Sequence, residues 1–81
     1  MLVIKRRHYL EIAEQATARA PREACGLIAG LEQDGRREVT KIYPLTNLDD
    51  SPDHFSMDPK EQFAAVKDIR QNGWALLGNY H

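Results

Sequence analysis

Few side chains in this sequence are of the types that do acid–base, nucleophilic or metal chemistry at neutral pH. Its three histidines, His8, His54 and His81, stand far apart, and no two share helical or strand spacing. No metal-binding pair can therefore be read within the chain. His8 falls near the start of the first expected helix and reads as a surface residue, and His54 reads as a solvated loop residue. His81, taken alone at the terminus, carries no functional reading. Glu23 is different, because it is a carboxylate placed just before the apolar run Ala24 to Leu31. Such a group is either exposed at a strand end or held in a cleft with a purpose. Cys25, two residues on, lies within the apolar run and reads as a small buried hydrophobe rather than a nucleophile. Neither Cys25 nor Ser51 and Ser56 has a histidine in a context that would activate it.

The elements that must position Glu23 follow from periodicity and turn chemistry. Met1 to Ile4 is short, apolar and β-branched, and reads as an edge strand or lead-in. From Arg7 to Ala20 the period is helical, with Tyr9, Ile12, Ala13, Ala16 and Ala20 on one face and Glu11, Glu14, Gln15 and Arg19 on the others. Pro21 ends that helix, since the residue before a proline is pushed out of the α region. Ala24 to Leu31 has the length of a buried strand, and its glycines Gly26 and Gly30 mark bulges or close backbone approaches.

Asp34-Gly35 supplies a two-residue hairpin turn, and the return strand runs from about Arg37 to Tyr43. Pro44 to Asp53 reads as a loop, followed by a short strand over Phe55-Ser56-Met57. Asp58-Pro59-Lys60-Glu61 is a helix start in which Asp58 accepts from the Glu61 amide and Glu61 reaches back. Phe63, Val66 and Ile69 form the stripe of this helix, which Asn72-Gly73 terminates in the left-handed way. Trp74 to Tyr80 reads as a strand closing on His81. The order β-α-β-β-(β)-α-β indicates an α/β fold with a mixed β-sheet and flanking helices.

Eighty-one residues allow one domain at most, with a thin core. An apolar content of 42% with 28% charged residues is ordinary for a globular chain and argues against disorder. The net charge of −1 offers no electrostatic affinity for nucleic acid or membranes, and the basic run Lys5-Arg6-Arg7 reads as a solvated face. One cysteine precludes an internal disulfide and suits a reducing cytosol. No apolar stretch approaches the roughly 20 residues of a membrane span. The N-terminal charge follows the apolar part, the reverse of a signal peptide, so a cytoplasmic location is expected.

Three segments, in order, resemble one family. Pro21-Arg22-Glu23-Ala24-Cys25-Gly26-Leu27-Ile28-Ala29-Gly30 resembles the P-x-E-x-C-G-L-L-x-G segment of JAMM (MPN-type) zinc metallopeptidase domains. Tyr43-Pro44-Leu45-Thr46-Asn47 and Phe55-Ser56-Met57-Asp58-Pro59 are similar to the middle segment of prokaryotic members. Leu77-Gly78-Asn79-Tyr80-His81 is similar to the strand leading into the H-[ST]-H-P-x7-S-x2-D motif.

The resemblance implies a cytidine deaminase-like fold, with residues 1–81 as the N-terminal portion of a single domain whose C-terminal part is missing. It implies that Glu23 is the catalytic glutamate and His81 the first histidine ligand of a zinc ion. The second histidine, the serine and the aspartate of the motif would follow His81. One ligand and a base do not make a catalytic zinc site, so this chain is expected to be inactive and not to hold zinc. Its open sheet edge is expected to invite self-association.

The implied reaction of the parent is hydrolysis of an amide bond at the C-terminal glycine of a ubiquitin-like or sulfur-carrier protein. The alternatives are a non-catalytic MPN-type interaction scaffold and a small α/β binding module. The presence of Glu23 and His81 together argues against the first, and the intact order of the three segments against the second.

Overall fold

The computed structural model describes residues 1–20, 23–49 and 56–81. The expectations for Pro21, Ser51, His54 and Phe55 lie outside the described residues. Within them the order is β1 (Leu2–Val3), α1 (Arg6–Arg19), β2 (Cys25–Gln33), β3 (Arg36–Leu45), α2 (Pro59–Gln71) and β4 (Ala75–Tyr80). The strands form one mixed sheet in the order β1-β3-β2-β4, with β1 parallel to β3 and β2 antiparallel to both neighbours. The expected α/β class and mixed sheet are what the chain adopts. The short strand expected after the loop is reduced to an isolated bridge between Asn47 and Met57.

Local chemistry accounts for the boundaries. Asp34 and Gly35 take φ of 51° and 77°, the paired positive values of a tight hairpin whose twist matches the strands. Gly73 (φ 71°) closes α2: its N–H donates to the Arg70 carbonyl, while the Trp74 N–H donates to that of Ile69. These are the two bonds of a Schellman cap. Asp58 does cap α2, but its Oδ1 accepts from the Lys60 amide at 2.9 Å rather than from Glu61. The Asp58 amide already donates to the Thr46 carbonyl, so nothing is left for Glu61 to reach back to. Glu61 instead accepts from the Thr46 amide (2.6 Å) and hydroxyl (3.0 Å), fastening the helix start to the end of β3.

Two apolar clusters cover the two faces of the sheet. Cys25, Leu27, Ala29, Tyr43 and Leu45 pack with Ala65 and Ile69 of α2, and Met57, Val66 and Trp74 join them. Val39, Ile42 and Leu77 pack on the other face with Ile12 of α1, Ile28 and Tyr80. Strict alternation would put Val39 with Tyr43 and Leu77 opposite Tyr80. Two register shifts, with the extra residue Thr40 in β3 opposite Ala29/Gly30 and Leu77 in β4 opposite Ile28/Ala29, change the side on which these residues emerge. Of the two strand glycines expected to mark a bulge or a close approach, Gly30 lies at a register shift and Gly26 at a close approach of the Tyr80 ring and the Tyr43 carbonyl.

Helix α1 turns a different face inward from the one its apolar spacing indicates, whereas α2 keeps Val66 and Ile69 of its stripe inward and leaves Phe63 out. In α1 the inward residues are His8, Ile12 and Gln15, and Tyr9, Ala16 and Ala20 are exposed. His8, read as a surface residue, is only 4% exposed, and its Nδ1 has no hydrogen-bond partner. The rotation is about a quarter turn. Alanines carry little apolar area, so the stripe they form pulls weakly, whereas Gln15 gains hydrogen bonds by facing the sheet. In α2, Phe63 is 73% exposed and Ala65 and Ile69 are buried. Residues three apart drift about 60° per step around a helix, so a stripe of that spacing winds off the buried face. Among the described residues no helix is long and apolar enough to cross a membrane.

A polar clamp ties α2 to β3. The Tyr43 hydroxyl donates to Asp68 Oδ2 at 2.5 Å, Lys41 Nζ donates to the same oxygen at 3.0 Å, and Nζ lies 4.8 Å from the centre of the Tyr43 ring. The Tyr43 hydrogen bond, and then Lys41, hold the Asp68 carboxyl below its ordinary value. Burial, and then the bond to Asp68, push the Tyr43 phenol up. A depressed carboxyl stabilises the fold above its unfolded value of about 3.9 and loses that contribution as pH falls through its folded value. A raised phenol stabilises below about 10 and loses its contribution as pH rises. Tyr43→Phe is therefore expected to flatten the stability profile on both sides. The check is the urea midpoint followed from about pH 2 to 11; superimposable limbs for the two proteins would remove the coupling.

Candidate functional site

Glu23 and His81 meet at one end of the sheet. β2 and β4 are antiparallel with Gly26 opposite Tyr80, so the residues entering β2 and leaving β4 share that end. Fifty-eight residues apart in sequence, Glu23 Oε1 and His81 Nδ1 lie 2.7 Å from one another. The Glu23 side chain is 23% exposed and that of His81 50%. The pair is thus open to solvent on the imidazole side and sheltered on the carboxylate side. With Nδ1 donating to the carboxylate, the imidazole is held in the tautomer that puts its lone pair on Nε2. A carboxylate that fixes a histidine in this way is a recurrent feature of metal-ligating imidazoles.

Two buried or half-buried amides hold the main chain on which the pair depends. Asn47, buried just past β3, donates from Nδ2 to the Glu23 carbonyl at 2.9 Å. Its Oδ1 accepts from the Asp49 and Ser56 amides, both at 2.9 Å. The carbonyl of Glu23 is thereby locked to a loop whose own turn the same side chain closes. On the α1 side, Gln15 Nε2 donates to the Cys25 carbonyl at 3.0 Å and to that of Leu45 at 3.4 Å. Gln15 Oε1 accepts from the Tyr80 hydroxyl at 2.5 Å. Burial, followed by the charges of Cys25 and Glu11 and opposed by Arg19, pushes the Tyr80 phenol up to about 12, so it remains a donor at neutral pH.

Cys25 is fully buried, and burial, its largest influence, raises its thiol above the ordinary value against the opposing charge of Arg19. A protonated, inaccessible thiol is inert, in keeping with its reading as a core residue. His8 is buried in α1. Ser56 takes part through its backbone amide. Gln15 and Asn47 were not singled out from the sequence. Asn47 left a trace, since asparagine at a strand end is a common turn-former and it lies in the Tyr43–Asn47 segment. Gln15 left none.

Among the described residues no three of His, Cys, Asp and Glu converge where a metal ion could sit. Glu23 and His81 supply chemistry suited to a hydrolytic metal centre, a ligating imidazole and a carboxylate base. They do not compose one by themselves, because catalytic zinc sites use three protein ligands and a water.

Residues 5–81 match the family model described as prokaryotic homologs of the JAB domain. A Pyrococcus furiosus protein named Desampylase is 30% identical over 74 residues, which make up 91% of this chain and 50% of that protein. A Thermus thermophilus protein named Probable TtuB-protein conjugate cleaving protease is 40% identical over 63 residues, 76% of this chain and 39% of that protein. The solution structure of a Desulfitobacterium hafniense protein superposes with a TM-score of 0.87 at 49% identity, covering 98% of this chain and 54% of the other. The chain spans about half the length of the relatives it matches, or less.

Proposed function

Because this chain belongs to the family of prokaryotic homologs of the JAB domain, we propose that Glu23 and His81 are the general base and one metal ligand of a zinc-dependent hydrolase. Its substrates are amide or isopeptide bonds at the C-terminus of a ubiquitin-like or sulfur-carrier protein. The observation that carries the reading is the 2.7 Å contact between Glu23 and His81. The names of the two relatives, a desampylase and a conjugate cleaving protease, support the same substrate class.

When bound, zinc would supply a water of lowered pKa and polarise the scissile carbonyl. His81 would contribute one ligating nitrogen. Glu23 accepts the proton of the attacking water and returns it to the leaving amine as the amide C–N bond breaks. Glu23 is the more sheltered of the two side chains, and Asn47 fixes the backbone from which it projects. The remaining ligands belong to the longer protein, so residues 1–81 are the N-terminal portion of one domain. The single buried Cys25 fits a reducing cytoplasm.

The test is elemental analysis of the full-length protein, with hydrolysis of a ubiquitin-like conjugate measured alongside. About one zinc per chain with hydrolysis is expected. A full-length protein that binds no zinc would overturn the reading. The 81-residue chain alone is expected not to retain zinc at micromolar concentration.

A further inference from the structure

Gln15 is a polar side chain on the inward face of α1, and its carboxamide reaches three partners from different elements. It donates to the carbonyls of Cys25 and Leu45, which are register partners at the end of the β2–β3 ladder. It accepts from the Tyr80 hydroxyl on β4. The orientation of the amide follows from those partners. The two carbonyls only accept, so the nitrogen must face them, and the oxygen is left for the phenol. Sixty-five residues separate Gln15 from Tyr80, so the bond ties α1 directly to β4.

Both ends of this bridge lie next to the candidate site. Cys25 is two residues after Glu23, and Tyr80 immediately precedes His81. The Tyr80 ring lies over Gly26, where an added Cβ would stand 2.4 Å from Cζ and from the hydroxyl oxygen. Gly26 thus leaves room for the ring, and Gln15 holds its far end. Besides its ladder with β2, the end of β4 is held by a ring seated on Gly26 and a hydroxyl bound to α1.

We propose that Gln15 is a positioning residue for the Glu23–His81 pair: through the Cys25 carbonyl and the Tyr80 hydroxyl it sets the spacing of the two strand ends that carry them. Gln15 touches neither side chain, and it acts on the distance between Oε1 of Glu23 and Nδ1 of His81. The proposal rests on the roles given above to Glu23 and His81, but its geometric part can be read without metal or catalysis.

The experiment uses the full-length protein with ¹⁵N-labelled histidine rings, stripped of metal by a chelator. Spectra are recorded in mildly alkaline buffer, and His81 is assigned from the His81→Gln variant. The wild-type ring is expected to show a protonated Nδ1 and an unprotonated Nε2. In Gln15→Leu, which deletes donor and acceptor together, the two ring nitrogens should move toward the averaged shifts of an unrestrained imidazole. Tyr80→Phe, which keeps the ring over Gly26 and removes only the hydroxyl, should move them in the same direction by a smaller amount. Gln15→Glu keeps an acceptor for Tyr80 and should recover part of the wild-type pattern.

The zinc-loaded Gln15→Leu protein should lose roughly 10- to 100-fold in kcat with KM little changed, as misplacement of a catalytic group does. Unchanged His81 ring shifts in a folded Gln15→Leu protein would overturn the proposal. If that variant does not fold, unchanged shifts in Tyr80→Phe would do so. Shifted rings in a protein that neither binds zinc nor hydrolyses conjugates would support the geometric tie and reject the proposed function.

Discussion

Glu23→Gln in the full-length protein is expected to lower kcat for conjugate hydrolysis by about 10²–10⁴-fold, the usual contribution of a positioned acid–base group, while leaving zinc content unchanged. The substitution is nearly isosteric. The amide oxygen of glutamine can still accept from His81 Nδ1, so the 2.7 Å contact and the orientation of the imidazole survive. The Asn47 bond survives as well, because it is made to the main-chain carbonyl of residue 23. What disappears is basicity: a carboxamide cannot take a proton from water near neutral pH. Metal content by elemental analysis and kcat from a conjugate-cleavage assay separate the two effects. Retention of activity within about tenfold of wild type would remove Glu23 from the role of general base. Loss of zinc together with activity would instead show that the carboxylate holds the metal site together.

The features legible in the sequence are those written in local chemistry. Asp34-Gly35 demands positive φ, Asn72-Gly73 ends a helix, and Asp58-Pro59 starts one; each does so here because few residues satisfy those backbone conditions. The meeting of Glu23 with His81 could be anticipated only through family resemblance, since antiparallel pairing of β2 with β4 is a property of the whole sheet. The facing of the helices was less legible. The stripe Tyr9–Ala20 in α1 is mostly alanine, and the side chain that settles the rotation is the polar Gln15, whose partners are backbone carbonyls. Carbonyls are present at every residue, so a bond to one leaves no sequence pattern. The same holds for Asn47 and the Glu23 carbonyl. The sheet-face change at Val39 and Leu77 was hidden for a related reason: a bulge changes the count of residues without requiring a distinctive side chain at the displaced position.

Gly30 is where a single methyl group should do the most damage to the fold. An added Cβ there would lie 1.9 Å from the Glu38 carbonyl oxygen and 2.8 Å from the carbonyl carbon, with Leu77 Cδ1 also at 2.8 Å. Leu77 can change rotamer, but the Glu38 carbonyl belongs to β3, one residue from Val39, the register partner of Gly30. Relief requires the β2–β3 ladder to part, and those strands carry the largest share of both apolar clusters. Overpacking a core ordinarily costs about 1–3 kcal/mol, and a backbone collision of this depth belongs at or above the upper end. A native domain has roughly 5–15 kcal/mol of total stability. Gly30→Ala in the full-length protein should therefore remove about a fifth or more of that stability and broaden or abolish the cooperative urea transition followed by circular dichroism. Gly78→Ala provides the control within the same sheet, because a Cβ at Gly78 meets nothing within 4 Å and the residue has no positive φ. That substitution reduces the freedom of the unfolded chain and should leave the protein unchanged or stabilise it by about 0.4–1 kcal/mol. If the two variants unfold at the same urea concentration, the close approach at the β2–β3 bulge is not what makes glycine necessary at residue 30.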